Sequence, residues 1–267
     1  MKKVGLIGCS IAIITVLATA PAFAGPVLDR ILQKKELAVA VSGDQPPLNA
    51  KNKKGEIIGF EADMAKMMAA AMGAKVRFVT MSFADLLPAL EAGKVDMVLS
   101  GMTMTPQRNL KVDFVGPYYV SGKGILAKAD KVGSLKETSE LDMPNFSVAA
   151  LKGSTSQVFV EKAIPKAKHV FVKTYDEAVD LLIAGKVDAF IGDYPYCAVS
   201  AFRYKDKGLV VGKNPFTFEP LGIALPPNDP HFVNWVGNFL RILEGSGELQ
   251  RLNDRWFKDA SWVQELP

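Results

Sequence analysis

The chain has 267 residues, with 32 Lys and Arg against 28 Asp and Glu, for a formal net charge of +4. That length holds one large or two modest domains with real apolar cores, and no Lys/Arg-rich run marks a nucleic-acid partner. His169 and His231 have no partner at ligand spacing, and no cysteine pair has metal-ligand spacing, so no metal and no cofactor is expected.

The first 24 residues, MKKVGLIGCSIAIITVLATAPAFA, begin with Lys2-Lys3, continue through an apolar stretch from Val4 to about Ala18, and end on Ala22-Phe23-Ala24. This is the pattern of an export signal cleaved before Gly25. A membrane anchor is the alternative, but the apolar run falls short of the ~20 residues a span needs. Leu6-Ile7-Gly8-Cys9 resembles a lipoprotein box, yet most of the apolar core follows Cys9 instead of preceding it. Removing Lys2 and Lys3 leaves 30 basic against 28 acidic residues, a net charge of about +2. Cys197 then stands alone, which excludes an internal disulfide and suits a bacterial periplasm.

Along the rest of the chain, Val/Ile-rich runs alternate with helical spacing. Strands are predicted at Leu37–Val41, Val76–Thr80 and Val95–Leu99, with helices at Phe60–Met72 and Phe83–Glu91 between them. The order then restarts: strand Ser147–Ala150, helix from Ser154, strand His169–Val172, helix Tyr175–Ala184, strand Val187–Ile191. Strands alternating with helices imply an α/β protein with mostly parallel sheets. Met64, Met67, Met68 and Met72 read as core filling.

The phrase Ala-Gly-Lys-Val-Asp occurs twice, from Ala92 and from Ala184, 92 residues apart. Each copy joins a helix end to a strand with a polar tip, Ser100-Gly101 in one case and Gly192-Asp193 in the other. Such joints are common enough for coincidence, but equivalent structure around both favours two similar lobes. Ligands of parallel sheets sit just beyond strand carboxyl ends, where helix N-termini present free N–H groups. A shared small ligand between two lobes follows. The run Tyr118–Ala127 looks like an exit from the first lobe and Thr217–Leu225 like a return, giving two crossings that allow hinge closure. Signal 1–24, first lobe 25–117 and 222–267, and second lobe 118–221 are the expected divisions. The tail from Gly247, GELQRLNDRWF, is amphipathic and should pack on the first lobe.

The signal, Gly55-Glu56-Ile57-Ile58-Gly59-Phe60-Glu61-Ala62-Asp63, Ser100–Arg108 with Val112-Asp113-Phe114, Gly153-Ser154-Thr155 and Asp193 together resemble the amino-acid-binding periplasmic receptors of ATP-driven importers (family 3 solute-binding proteins). The likeness covers the mature chain in order. It implies a type II periplasmic-binding-protein fold of two lobes joined by two crossing strands, no catalytic residue, an amino acid as ligand, an importer permease as partner, and a monomer.

Carried over residue by residue, the resemblance makes Arg108 the clamp on the ligand α-carboxylate. Its planar fork can give two parallel hydrogen bonds, which a lysine cannot. On sequence alone the same arginine would be a solvated first-turn residue. Thr103 and Gly101 match the loop that completes the carboxylate and ammonium shells. Thr155, after Ser154, matches a second-lobe donor to the carboxylate, with a plain N-cap as the other reading. Asp193 matches the acid for the α-ammonium, or caps the helix after it. Phe83 matches an apolar wall, or is simply core. Where relatives carry a stacking aromatic the chain has Gln45, with Leu48 for a usual Phe and Ser42 where receptors for cationic side chains have an acid, although Asp44 is close. Gln45 and Asn49 could hydrogen-bond a ligand, which favours an uncharged polar side chain. The rival reading is a cyclohexadienyl dehydratase on the same scaffold, whose general-acid Glu aligns with Gln157, an amide. A sensor fused to a membrane helix is the remaining rival, and nothing after Trp262 could supply that helix.

Overall fold

The structure is a computed structural model that describes residues 25–132 and 138–267. The export segment, with Cys9, lies outside the described residues. The first lobe opens with helix α1 (Pro26–Lys34) and strand β1 (Glu36–Val41), followed by a small meander of β2 (Asp44–Gln45), β3 (Asn49–Lys51) and β4 (Ile57–Ile58). Helix α2 (Phe60–Ala71), β5 (Lys75–Thr80), α3 (Phe83–Glu91), β6 (Met97–Val98), the short α4 (Pro106–Asn109) and β7 (Asp113–Ser121) complete its first pass. Met64, Met68 and Met72 of the α2 segment are buried in the first-lobe core beside Ile31, Val39 and Phe60.

The second lobe contains β8 (Lys123–Lys128), α5 (Ala129–Val132), β9 (Ser147–Leu151), α6 (Thr155–Ala163), β10 (Lys168–Val172), α7 (Tyr175–Ile183), β11 (Ala189–Asp193), α8 (Tyr194–Arg203) and β12 (Leu209–Val211). Strand β13 (Glu219–Leu225) returns to the first lobe, which ends in α9 (Pro230–Gly245) and α10 (Glu248–Asn253). Trp256 and Trp262 then bury against that lobe, and Trp256 Nε1 donates to Asp63 Oδ2 on α2 at 3.0 Å.

The two sheets share one plan. The first runs β5-β1-β6-β13-β7 and the second β10-β9-β11-β8-β12. In each, the three strands of the βαβ repeat are parallel, the fourth (β13 or β8) runs antiparallel to them, and the edge strand (β7 or β12) is antiparallel to the fourth. The strand that runs against each repeat is the one that enters from the opposite lobe, β13 in the first sheet and β8 in the second. At the crossing β7 and β13 lie side by side, with Ser121 opposite Glu219. Lys123 is knitted to the returning segment by its N–H on Thr217 Oγ1 (2.9 Å) and its carbonyl under Phe216 N–H (3.0 Å).

The repeated phrase is repeated in three dimensions. After α3, Gly93 N–H bonds Leu90 O (3.0 Å) and Lys94 N–H bonds Ala89 O (3.0 Å); after α7, Gly185 N–H bonds Leu182 O (3.1 Å) and Lys186 N–H bonds Leu181 O (2.9 Å). Both are Schellman terminations, and both glycines adopt the left-handed conformation this requires, at φ 66°. The aspartates match as well: Asp96 Oδ2 accepts Ala38 N–H and Asp188 Oδ2 accepts Ser147 N–H, each at 2.8 Å. Lys186 is drawn back onto the helix and strand β11 begins at Ala189, two residues later than its apolar run suggests; its far end pairs with β8 as far as Asp193, opposite Lys123.

A Cβ at Gly93 would meet nothing within 4 Å, and one at Gly185 only the Lys128 ammonium at 4.0 Å. Left-handed backbone is then the whole cost of a side chain there, about 1–2 kcal/mol. Gly93→Ala and Gly185→Ala are each expected to lower stability by that amount, and to add in the double variant because they lie in different lobes. Urea unfolding midpoints measure both.

Candidate functional site

The polar tips of β6 and β11 face one another across the crossing strands. Beyond β6, Ser100 Oγ accepts Ser42 N–H at 2.8 Å. Gly101 follows at φ 57°, and a Cβ on it would stand 2.5 Å from the Gln45 amide, so the loop requires glycine for space as well as conformation. Thr105 caps α4 by accepting Arg108 N–H at 3.2 Å. That short helix turns the Arg108 side chain back toward the loop, where Nη1 donates to Thr103 O at 2.8 Å and Nη2 reaches across to Gly153 O of the second lobe at 3.2 Å. The guanidinium carbon lies 5.7 Å from the centroid of the Phe83 ring, which is otherwise buried in the core.

On the second lobe, Ser154 takes the capping role. Its Oγ accepts Ser156 N–H (3.1 Å) and Gln157 N–H (3.2 Å). Thr155 is thereby left free to donate to Glu219 Oε2 at 3.0 Å, and its Oγ1 lies 3.4 Å from that of Thr103, which bonds the same Glu219 oxygen at 2.8 Å. Asp193 precedes α8 but makes no capping bond. Its Oδ1 accepts from Lys123 Nζ at 2.8 Å, while Oδ2 accepts from Gln45 Nε2 at 2.7 Å and Tyr175 OH at 3.4 Å. Lys123 Nζ also stands 3.6 Å from Glu219 Oε2, and all three charged residues are buried.

The structure therefore gathers Arg108, Thr103, Gly101, Phe83, Thr155, Ser154, Asp193 and Gln45 around one place, joined by bonds that cross between lobes. It also adds residues the sequence reading missed. Lys123 and Glu219 are lone charges inside the apolar runs around GKGILA and TFEPLGIAL, a signal that was available. Asp44 Oδ2 accepts Tyr175 N–H of α7 at 2.8 Å, so a first-lobe carboxylate sits on a second-lobe helix N-terminus. Burial raises the Asp44 pKa, and that N–H holds it back.

Asn49, read as a ligand contact, is committed to the protein. Its Oδ1 accepts Gly43 N–H (2.7 Å) and Ser42 Oγ (3.2 Å), and its Nδ2 donates to Glu61 Oε2 (2.6 Å). Glu61 is wholly buried behind the loop, where its Oε1 also accepts Gly101 N–H at 2.7 Å and the Tyr118 hydroxyl. Burial pushes the Glu61 carboxyl up, opposed by these donors. It pushes the Tyr118 hydroxyl well up too, with the Glu61 charge adding to the shift.

Residues 37–259 match the model of the bacterial extracellular solute-binding proteins, family 3, and the chain belongs to that family. The arginine-binding protein 1 of an ABC transporter from Escherichia coli is 29% identical over 229 residues, covering 84% of this chain and 91% of that protein. A cyclohexadienyl dehydratase from Pseudomonas aeruginosa is 26% identical, covering 86% of each. Among solved structures, an ancestral amino-acid-binding protein described as a precursor of cyclohexadienyl dehydratase is 38% identical, with a TM-score of 0.81 over 87% of this chain and 100% of that one.

Glu61→Gln tests how the binding loop is held. The amide can no longer accept from all three donors, and leaving one unsatisfied in the interior costs about 1–3 kcal/mol. A fall in the urea midpoint of that size is expected. A variant as stable as the parent would show that the loop does not lean on this carboxylate.

Proposed function

We propose that the protein is a periplasmic receptor that binds a free amino acid between two closing lobes and delivers it to the permease of an ATP-driven importer. The observation that carries this reading is the division of charge between lobes. Arg108 belongs to the first lobe and Asp193 to the second, and each is bonded to the opposite lobe. An amino acid at neutral pH offers one carboxylate and one ammonium, so only a closed pair of lobes can engage both. In this reading Arg108, Thr103, Gly101 and Thr155 hold the α-carboxylate, with Ser154 fixing the α6 N-terminus, and Asp193 faces the α-ammonium. Gln45 and Phe83 line the side-chain end. The first lobe comprises residues 25–117 and 222–267, and the second 118–221. Export with cleavage before Gly25, and action as a monomer, belong to the same proposal.

An enzymatic role is the alternative raised by the dehydratase relative. Gln157, at the position of that enzyme's general acid by the resemblance, is an amide whose Oε1 accepts Gly153 N–H (2.8 Å) and whose Nε2 donates to Glu161 (3.0 Å). It has no proton to exchange near neutral pH, which supports binding without turnover. Turnover of cyclohexadienyl acids by purified protein above background would reverse that conclusion.

Mass spectrometry of small molecules released from denatured, freshly purified protein identifies the ligand, and an amino acid is expected. Truncating one member of a desolvated charge pair costs about 2–5 kcal/mol, or roughly 30- to 4,000-fold in affinity. Arg108→Ala and Asp193→Asn are each expected to weaken binding at least about tenfold by titration calorimetry; parent-like affinity in both would place the clamp elsewhere. X-ray scattering should report a smaller radius of gyration with saturating ligand than without, and an unchanged radius would count against hinge closure.

A further inference from the structure

In the receptor reading Thr103 and Thr155 donate to the ligand α-carboxylate, yet the structure gives both hydroxyls another acceptor. Thr103 Oγ1 donates to Glu219 Oε2 at 2.8 Å, and Thr155 Oγ1 donates to the same oxygen at 3.0 Å. The two hydroxyl oxygens lie 3.4 Å apart, one from each lobe. Glu219 opens the returning crossing strand, opposite Ser121 of the outgoing one. It is buried, so donors inside the protein must satisfy it.

A hydroxyl carries one proton, and an ionised carboxylate only accepts. Each threonine can therefore serve Glu219 or an incoming α-carboxylate, but not both at once. While the protons point at Glu219, the hydroxyls turn lone pairs toward any second carboxylate. Glu219 has other donors within reach. Its Oε1 accepts from Thr217 Oγ1 at 3.2 Å, and Lys123 Nζ stands 3.6 Å from Oε2. That ammonium has three protons and gives one to Asp193 Oδ1 at 2.8 Å, so a second can close on Glu219 when the threonines turn away.

We propose that Glu219 is an internal competitor for the ligand α-carboxylate, holding Thr103 and Thr155 until an amino acid binds and passing to Lys123 when one does. The inference rests on the amino-acid-receptor reading and adds to it a residue that resists binding. The two threonine bonds to Glu219 stabilise only the protein without a bound amino acid, so they lower affinity by whatever they contribute there. The same hydroxyls link the lobes in either case, through Glu219 at the crossing or through the bound carboxylate. Because every amino acid carries that carboxylate, the competition sets affinity without choosing among side chains.

A thermal-shift screen of the common L-amino acids on the mature protein, freed of ligand, selects the tightest binder, and titration calorimetry then follows that amino acid through the variants. Glu219→Gln keeps the shape and leaves a carbonyl for Lys123, but its neutral oxygen is a weaker acceptor for the two hydroxyls. It is expected to tighten binding at least about fivefold, roughly one net hydrogen bond. Loss of a negative charge also favours an anionic group through space, and a double-mutant cycle separates the two effects. With Thr155→Val in place one contested hydroxyl is gone, and the gain from Glu219→Gln should fall to about twofold. A gain that stays undiminished there is through-space charge and overturns the exchange. Should Glu219→Gln not fold, a crystal structure of the parent with the same amino acid decides. Both threonine hydroxyls are expected on its α-carboxylate with Glu219 on Lys123, and hydroxyls still on Glu219 overturn the proposal. Binding by Glu219→Gln that is unchanged or weaker also overturns it, while leaving the receptor reading in place. A protein that binds none of the common amino acids overturns that reading, and the competition with it.

Discussion

The buried contact of Lys123 with Asp193 and Glu219 is the constraint around which the rest of the site is arranged. An isolated ammonium or carboxylate in a protein interior carries a desolvation penalty of several kcal/mol, so none of the three could be buried without the others. They come from three separate segments: the start of the outgoing crossing strand, the end of β11 and the start of the returning strand. The pairing of Ser121 with Glu219 across the two crossings puts the acid within reach of the lysine two residues on. The register of the crossing strands therefore decides the electrostatics of the cleft.

Capping residues decide which side chains remain free to work. Ser154 closes the start of α6, and the neighbouring Thr155 points instead to Glu219 and Thr103. Thr105 closes α4, so that Arg108 can return along its own loop to Thr103 and on to Gly153. Glu61 performs a comparable service from behind, holding Gly101 in the one conformation that leaves room for Gln45.

Bonds that join the lobes directly include Asp44 to Tyr175, Gln45 to Asp193, Arg108 to Gly153, Thr103 to Thr155 and Arg203 to the Pro267 carbonyl. Hydrogen bonds of this kind add only about 0.5–1.5 kcal/mol each in net terms, more where a charge takes part. A small number of them lies within the range that one ligand's differential affinity can outweigh, which suits a receptor that must both capture and release.

Local pattern was enough to expose much of this molecule. The alternation of apolar runs with helical spacing located the strands and helices of both lobes, since each element buries one face whatever its neighbours are. The repeated Ala-Gly-Lys-Val-Asp, read as a helix stop followed by a strand, proved to be one termination motif used twice, because its bonds lie within six residues. The resemblance placed Arg108, Thr103, Thr155 and Asp193 at strand and helix ends, where they stand in the structure. Other features depended on segments far apart in the chain. The strand before Asp193 runs as far as that residue because its end pairs with β8, with Asp193 opposite Lys123, a contact no periodicity reports. Asn49 looked like a free amide, and only packing against Glu61 and Gly43 showed it to be taken. Lys123 and Glu219 were legible as lone charges in apolar strands, but a lone charge in sequence has no partner, and theirs lie 70 and 26 residues from Asp193. Composition and spacing could determine the elements and the repeat; the pairing of buried charges was decided by tertiary structure, because desolvation and Coulomb energy depend on distance in space.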